Sequence, residues 1–207
     1  MYKKPVIVFE GIEGSGKSYH IRNISNYLKK KKIKFIKIRE PGGSNNSEKI
    51  RRLILNKKSN FNKFTDFLMY MASRNENFHN ILLKNYNKKI ILIDRFIDST
   101  IAYQHYGMGV NLKIIKYINN FILKDIKVDF TFLNTVNKKN MIKRLKLRKS
   151  LNRYDKFDLK FYTKVQNGFL KLSNKNKKRY KIINSNLDIK ENKKIIIEKI
   201  KKFIWII

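Results

Sequence analysis

Val6-Ile7-Val8-Phe9-Glu10-Gly11-Ile12-Glu13-Gly14-Ser15-Gly16-Lys17-Ser18 packs an apolar run, a glycine-rich loop and a helix start into one short stretch. Val6–Phe9 reads as a buried parallel strand. It breaks at Gly11 into a loop holding Gly11, Gly14 and Gly16, and a helix begins at Lys17–Ser18. This is the pattern G-x-x-x-x-G-K-[ST] with the strand before it and the helix after it that a phosphate-binding loop requires. Glycines lack a Cβ, so the backbone can curl and aim several N–H groups at one anion. The helix N-terminus adds a partial positive charge. Lys17 is expected to reach the β- and γ-phosphates, and the Ser18 hydroxyl to ligate Mg²⁺. A glycine-rich turn that matched by chance would not need the flanking strand and helix. The chain is expected to bind a nucleoside triphosphate.

At 207 residues the chain fits one domain with a core of its own. Without cysteine there is no disulfide framework, thiol nucleophile or Cys-based zinc site. His20, His79 and His105 show no metal spacing. Met1–Pro5 runs straight into the first strand and leaves no room for a signal peptide. Apolar runs such as Ile90–Ile93 are too short to span a bilayer. A cytoplasmic protein with no membrane partner is the expectation.

The formal charge is +34, from 49 Lys and Arg against 15 acids. Such a balance suggests a nucleic-acid or anionic-membrane partner. The lysines, however, are spread over the whole chain alongside abundant Asn and Ile, while Gly (8) and Pro (2) are scarce. Codons for Lys, Asn and Ile can be written almost wholly in A and T. Compositional drift is therefore preferred to a dedicated nucleic-acid surface, and no specific nucleic-acid partner is expected.

Strand-like runs occur at Val6–Phe9, Ile33–Ile38, Ile90–Ile93, Phe130–Leu133 and Tyr180–Ile183. Helical periodicity appears after the phosphate loop (Ile21, Ile24, Leu28) and near Glu48–Leu55, Thr65–Leu83, Leu112–Leu123, Lys138–Lys146, Leu159–Leu172 and Ile189–Phe203. The alternation predicts an α/β fold with a parallel sheet covered on both faces. Asn56–Asn62 and Ser173–Lys178 read as surface turns.

Ligands of such sheets sit beyond the carboxyl ends of the strands. There the sequence places Glu10 with the loop, then Arg39-Glu40-Pro41-Gly42-Gly43, then Asp94-Arg95-Phe96. Asp94 suits a Mg²⁺-organising carboxylate and Arg95 a second phosphate, or the two form a solvated pair. Arg51 reads by spacing as a surface arginine. Tyr70 and Arg74, four apart on a helix, could sandwich and hydrogen-bond a planar base, or be a core tyrosine and a solvated arginine. Arg148 and Arg153 flank the polar loop Lys149–Asn152. They are either solvated or a cis arginine finger worth about 10³–10⁵ in rate.

Taken together, E-G-I-E-G-S-G-K-S (Glu10–Ser18), R-E-P-G-G (Arg39–Gly43), E-K-I-R (Glu48–Arg51), L-M-Y-M-A-S-R (Leu68–Arg74), D-R-F-I-D-S-T-I-A-Y-Q (Asp94–Gln104) and R-K-S-L-N-R (Arg148–Arg153) resemble the bacterial thymidylate kinase family over nearly the whole chain. The resemblance implies a P-loop NTPase three-layer fold. Its five-stranded parallel sheet would be flanked by helices on both faces, in a single domain 1–207 with a lid near 147–155.

It further implies transfer of the ATP γ-phosphoryl to dTMP in a homodimer. ATP would sit on Gly11, Ile12, Glu13, Gly14, Ser15, Gly16, Lys17 and Ser18. Mg²⁺ would lie at Ser18 and Asp94, with Glu10 a further candidate. Arg51 and Arg95 would hold the monophosphate. Tyr70 would stack on the base, Arg74 read it, and Thr100 and Gln104 line it. Tyr103 would crowd the sugar 2′ position, with Glu13 near the sugar hydroxyl. Lys17, Asp94, Arg95, Arg148 and Arg153 would be catalytic. Asn152-Arg153-Tyr154-Asp155 stands where the family tends to have D-R-x-E. Two other readings stay open: a related kinase of another nucleotide or deoxynucleoside, and a basic nucleic-acid-binding protein with a vestigial nucleotide site.

Overall fold

The structure is a computed structural model that describes residues 4–148 and 152–205. Strands β1 (Val6–Glu10), β2 (Phe35–Arg39), β3 (Ile90–Asp94), β4 (Phe130–Thr135) and β5 (Tyr180–Asn184) form one sheet in the order β2-β3-β1-β4-β5. All four pairings are parallel. The helices are α1 (Lys17–Lys30), α2 (Asn45–Leu55), α3 (Lys63–Asn77), α4 (Leu83–Asn85), α5 (Ile97–Thr100), α6 (Leu112–Leu123), α7 (Lys138–Lys146), α8 (Leu159–Lys175) and α9 (Ile189–Trp205).

Side chains alternate across a strand, and β1 shows why the sheet has to be covered twice. Val6 and Val8 pack with Ile91 and Ile93 against Phe67, Met71 and Ile115 of α3 and α6. Ile7 and Phe9 pack with Leu92 and Phe132 against Ile21, Ile24, Ile196 and Ile200 of α1 and α9. A third cluster, with Tyr103, Tyr154, Phe161, Val165 and Phe169, lies beyond the strand ends and roofs the site. In it α8 lies close against residues 101–107, where a Cβ on Gly168 would come 2.6 Å from the Tyr106 ring.

Most expected elements are present, and the differences have local causes. The strand expected from Ile33 starts at Phe35, because Lys32 takes a left-handed turn (φ 55°) that returns the Ile33 N–H to the Leu28 carbonyl. The helix expected from Thr65 starts at Lys63, capped by the Asn62 side chain, which accepts from the N–H of Phe64 and Thr65. After Asn77 it runs through a π-helical turn, Phe78–Leu82, into α4. Residues 97–107, for which the periodicity predicts no helix, coil as α5 and a π-helical run, Ile101–Gly107.

Register brings the functional positions level. Phe9 and Arg39 both pair with Asp94, and Glu10 pairs with Leu133. The ends of β1, β2 and β3 therefore open onto one rim.

Candidate active site

The phosphate loop is built on three glycines with positive φ: 138° at Gly11, 71° at Gly14 and 84° at Gly16. A Cβ on Gly11 would lie 2.2 Å from the Asn134 carbonyl, so no other residue fits there. Around Gly16, at the start of α1, a Cβ would meet nothing within 4 Å, which leaves the helix N-terminus open to a ligand. Lys17 arches back over the loop. Its ammonium donates to the carbonyls of Gly11 (2.9 Å) and Ile12 (3.0 Å). Burial, reinforced by the positive charge of Arg95, lowers its pKa to about 8. An anion in the loop would reverse that penalty. Ser18 Oγ donates to Asp94 Oδ2 at 3.2 Å.

Arg95 comes directly after β3 in left-handed backbone (φ 66°), a conformation that costs a non-glycine residue about 1–2 kcal/mol. Its main-chain N–H donates to Phe9, while Nη1 donates to the Gly11 carbonyl (2.8 Å) and Nη2 to Glu13 (2.8 Å). Glu13 also accepts from the Tyr103 hydroxyl. The second strand supplies Arg39 and the turn that holds Arg51, whose Nη1 donates to the Pro41 carbonyl at 2.5 Å. Burial and the charge of Arg39 lower the pKa of Arg51. Arg74 is enclosed, ion-paired to Glu40 at 2.7 Å, hydrogen-bonded to Asn119 and stacked over Phe96.

Lys17, Ser18, Glu13, Arg51, Tyr70, Arg74, Asp94, Arg95, Thr100, Tyr103, Gln104 and Arg148 line one cavity. Beneath it lies the loop Gly11, Ile12, Gly14, Ser15, Gly16. Thr100 Oγ1 and Gln104 Oε1 are buried in its wall without a partner among the described residues. Polar atoms so placed are costly unless a ligand satisfies them. The wall also contains residues the sequence reading does not assign: Arg39, at a strand end within a motif already quoted, and Asn152 and Tyr154.

Two residues expected at the site are engaged elsewhere. Glu10 is not placed to hold a metal: Oε1 accepts from the N–H of Phe96 (2.8 Å) and Ser99 (3.2 Å), and Oε2 from the Ser99 hydroxyl (2.5 Å). It caps the start of α5, fully buried, and burial with the negative charge of Asp98 raises its pKa to about 7. Arg153 does not line the cavity. Its guanidinium is held by Asp66 and lies over the rings of Phe61 and Tyr154. Of the expected lid near 147–155, residues 149–151 lie outside the described residues.

A second cavity adjoins the loop at Gly16, lined by His20, Arg144, Ser185, Leu187 and Asn192. Arg144 donates to the carbonyls of Gly14 (2.9 Å) and Ser185 (2.7 Å), bridging the loop to the end of β5. Burial lowers the pKa of His20 to about 4, so it is neutral at pH 7. Ser18 and Asp94 offer hard oxygen donors at the first cavity. Among the described residues no group of three or more His, Cys, Asp or Glu could form a protein cage for an ion. That donor set fits Mg²⁺, which keeps most of its shell as water and phosphate oxygens.

The family model described as thymidylate kinase matches residues 9–196. The chain is 37% identical over 198 residues to a thymidylate kinase of Sulfurihydrogenibium sp., covering 95% of this chain and 96% of that one. It is also 37% identical over 204 residues to one from Mycoplasma capricolum, with the same coverage. Its fold is similar to the crystal structure of a thymidylate kinase from Ehrlichia chaffeensis, with a TM-score of 0.79 and 31% identity over 97% of this chain and 99% of that one.

Glu10 gives the site a pH signature. A carboxyl raised from 4.5 to about 7 binds more protons folded than unfolded in that window. Stability is therefore lost as pH rises through it. Glu10→Gln does not titrate. Urea unfolding without nucleotide at pH 5 and pH 8 is expected to show the wild type losing ground to Glu10→Gln at the higher pH. A pH-independent difference would mean that Glu10 is ionised throughout.

Proposed function

The chain belongs to the thymidylate kinase family and is a dTMP kinase, moving the γ-phosphoryl of ATP to dTMP to give dTDP and ADP; on that premise we propose which of its residues carry the transfer. The observation that carries the reading is that Lys17, Arg51 and Arg95 line one cavity at one rim of the sheet. In this reading residues 1–207 form one P-loop kinase domain.

The acceptor needs no strong general base. A phosphate monoester has a second pKa of about 6, so its oxygen is largely ionised at pH 7. The task is to bring two polyanions together and to neutralise charge as the phosphoryl moves. The loop amides and Lys17 hold the donor phosphates, and Arg51 and Arg95 hold the dTMP phosphate. Arg148 and Asp94 line the same cavity, with Arg148 stabilising the moving phosphoryl in this reading. Ser18 and Asp94 would hold the Mg²⁺ that accompanies ATP, and that ion would supply charge neutralisation at the β- and γ-oxygens.

Tyr70 stacks on thymine. The Thr100 and Gln104 oxygens and the Arg74 guanidinium meet its edge, and Tyr103 with Glu13 closes on deoxyribose. The second cavity takes adenine, with the planar Arg144 guanidinium as one wall. Arg153 is assigned to anchoring rather than to chemistry. A cytoplasmic location fits a cysteine-free ATP-dependent chain in which no described helix is long and apolar enough to cross a membrane.

A homodimer fits the exposed apolar residues of α3 and α6, which pack side by side. Phe64 and Leu68 are each 42% exposed, Tyr117 72% and Phe121 73%. A second copy would cover them. Sedimentation is expected to give the mass of two chains and Phe121→Glu that of one; a monomeric wild type would contradict this.

Acceptor choice is tested by coupled ADP release with dTMP, dUMP, dCMP, dGMP and thymidine. Turnover is expected to be fastest by far with dTMP, and Lys17→Ala to abolish it. Preference for any other acceptor would overturn the assignment of the base wall.

A further inference from the structure

Asp66 lies one turn before Tyr70 on α3 and is 1% exposed. Its carboxylate accepts from the Tyr154 hydroxyl at 2.5 Å and from Arg153 Nη2, and Gln104 Nε2 stands 3.5 Å away. Tyr154 is also hydrogen-bonded to Tyr70, their rings edge to face with centroids 6.2 Å apart. One buried acid thus touches both helical segments of the base wall and a turn 88 residues later in the chain.

That turn is the 3₁₀ segment Arg153–Lys156. Asn152 caps it, accepting from the Tyr154 N–H at 2.8 Å, and Asp155 accepts back from the Asn152 N–H at 2.8 Å. The other oxygen of Asp155 accepts from Arg148 Nη1 at 2.8 Å. A continuous chain of contacts therefore runs from Tyr70 and Gln104 through Asp66, Tyr154 and Asp155 to Arg148. Residues 70, 104 and 148 all line the cavity.

We propose that Asp66 is a positioning residue, which clamps the Arg153–Lys156 turn to the acceptor wall and so fixes where Arg148 stands over the cavity. The inference rests on the reading of Arg148 as the group on the moving phosphoryl. Asp66 itself touches neither substrate. Removing its charge leaves the Arg153 guanidinium partly buried without its counterion, which loosens the turn. A displacement of about 1 Å at a catalytic group can cost about 10²-fold in rate.

The test is a double-mutant cycle with kcat and both KM values. Asp66→Asn keeps the shape and an acceptor for Tyr154 but removes the charge. It is expected to lower kcat by about 10-fold with KM for ATP and dTMP within about 2-fold, the signature of an interaction lost only in the transition state. In an Arg148→Ala background, already slower by on the order of 10²-fold, Asp66→Asn is expected to cost less than about 2-fold more. Tyr154→Phe removes only the hydroxyl, is expected to show the same pattern, and decides the matter should Asp66→Asn fail to fold. Additive losses, an unchanged kcat, or a change confined to the dTMP KM would overturn the inference while leaving the role of Arg148 intact. A wild-type kcat in Arg148→Ala alone would overturn both.

Discussion

Arg95 donates from Nη1 to the carbonyl of Gly11 and from Nη2 to Glu13, with its own backbone held left-handed at the end of β3. This contact ties the phosphate loop, on β1, to the acceptor side of the cavity, on the neighbouring strand. Because β1 and β3 are hydrogen-bonded in fixed register, the backbones of the loop and of Arg95 cannot drift apart without breaking the sheet. The spacing between the loop and the base of the Arg95 side chain is then a property of the fold. Strain at Arg95 is tolerated because a main-chain bond to Phe9 and two side-chain bonds over-determine it.

The arginines around this contact share a pattern. Arg39 pairs with Glu48, Arg74 with Glu40, Arg95 with Glu13, Arg148 with Asp155, Arg153 with Asp66 and Arg179 with Asp98. Among the described residues these six acids orient arginines, most of them in or beside the cavity. A guanidinium has five donors in a fixed fork, so one edge can be fixed by a carboxylate while the other stays free for phosphate. Lys17 apart, most lysines lie at exposed positions along the chain, which fits compositional drift as the source of much of the net charge.

Much of the fold was legible because its signals are local. The apolar runs of β1 and β3 are uninterrupted up to their last residue, and Gly11–Ser18 carries a phosphate loop in its spacing alone. The rim residues are the charged ones just past the last apolar position of β1, β2 and β3, so the strand ends alone locate them. What was not legible depends on contacts far apart in sequence. Glu10 looks like a candidate ligand beside the loop, yet residues 96 and 99 occupy both its oxygens. Arg153 sits in a basic, polar stretch that reads as solvated, and only the approach of Asp66 shows it to be an anchor. The helical coil over residues 97–107 lacks the apolar spacing of a regular helix, part of it being π-helical. The second cavity joins α1, α7, the end of β5 and the start of α9, four segments with no shared motif. Asn152 and Asp155, which stand where the resemblance implies D-R-x-E, build a reciprocal cap on the Arg153–Lys156 turn.

In the proposed complex, donor and acceptor phosphates meet in one cavity between Lys17 and the pair Arg51 and Arg95. Calorimetric titration with adenosine and thymidine joined through five phosphates tests it most directly. The account predicts one molecule bound per chain, tighter than ATP or dTMP alone by at least about 10²-fold, with both nucleotides displaced. Binding no tighter than a single nucleotide, or dTMP still binding once the linked compound is in place, would contradict it.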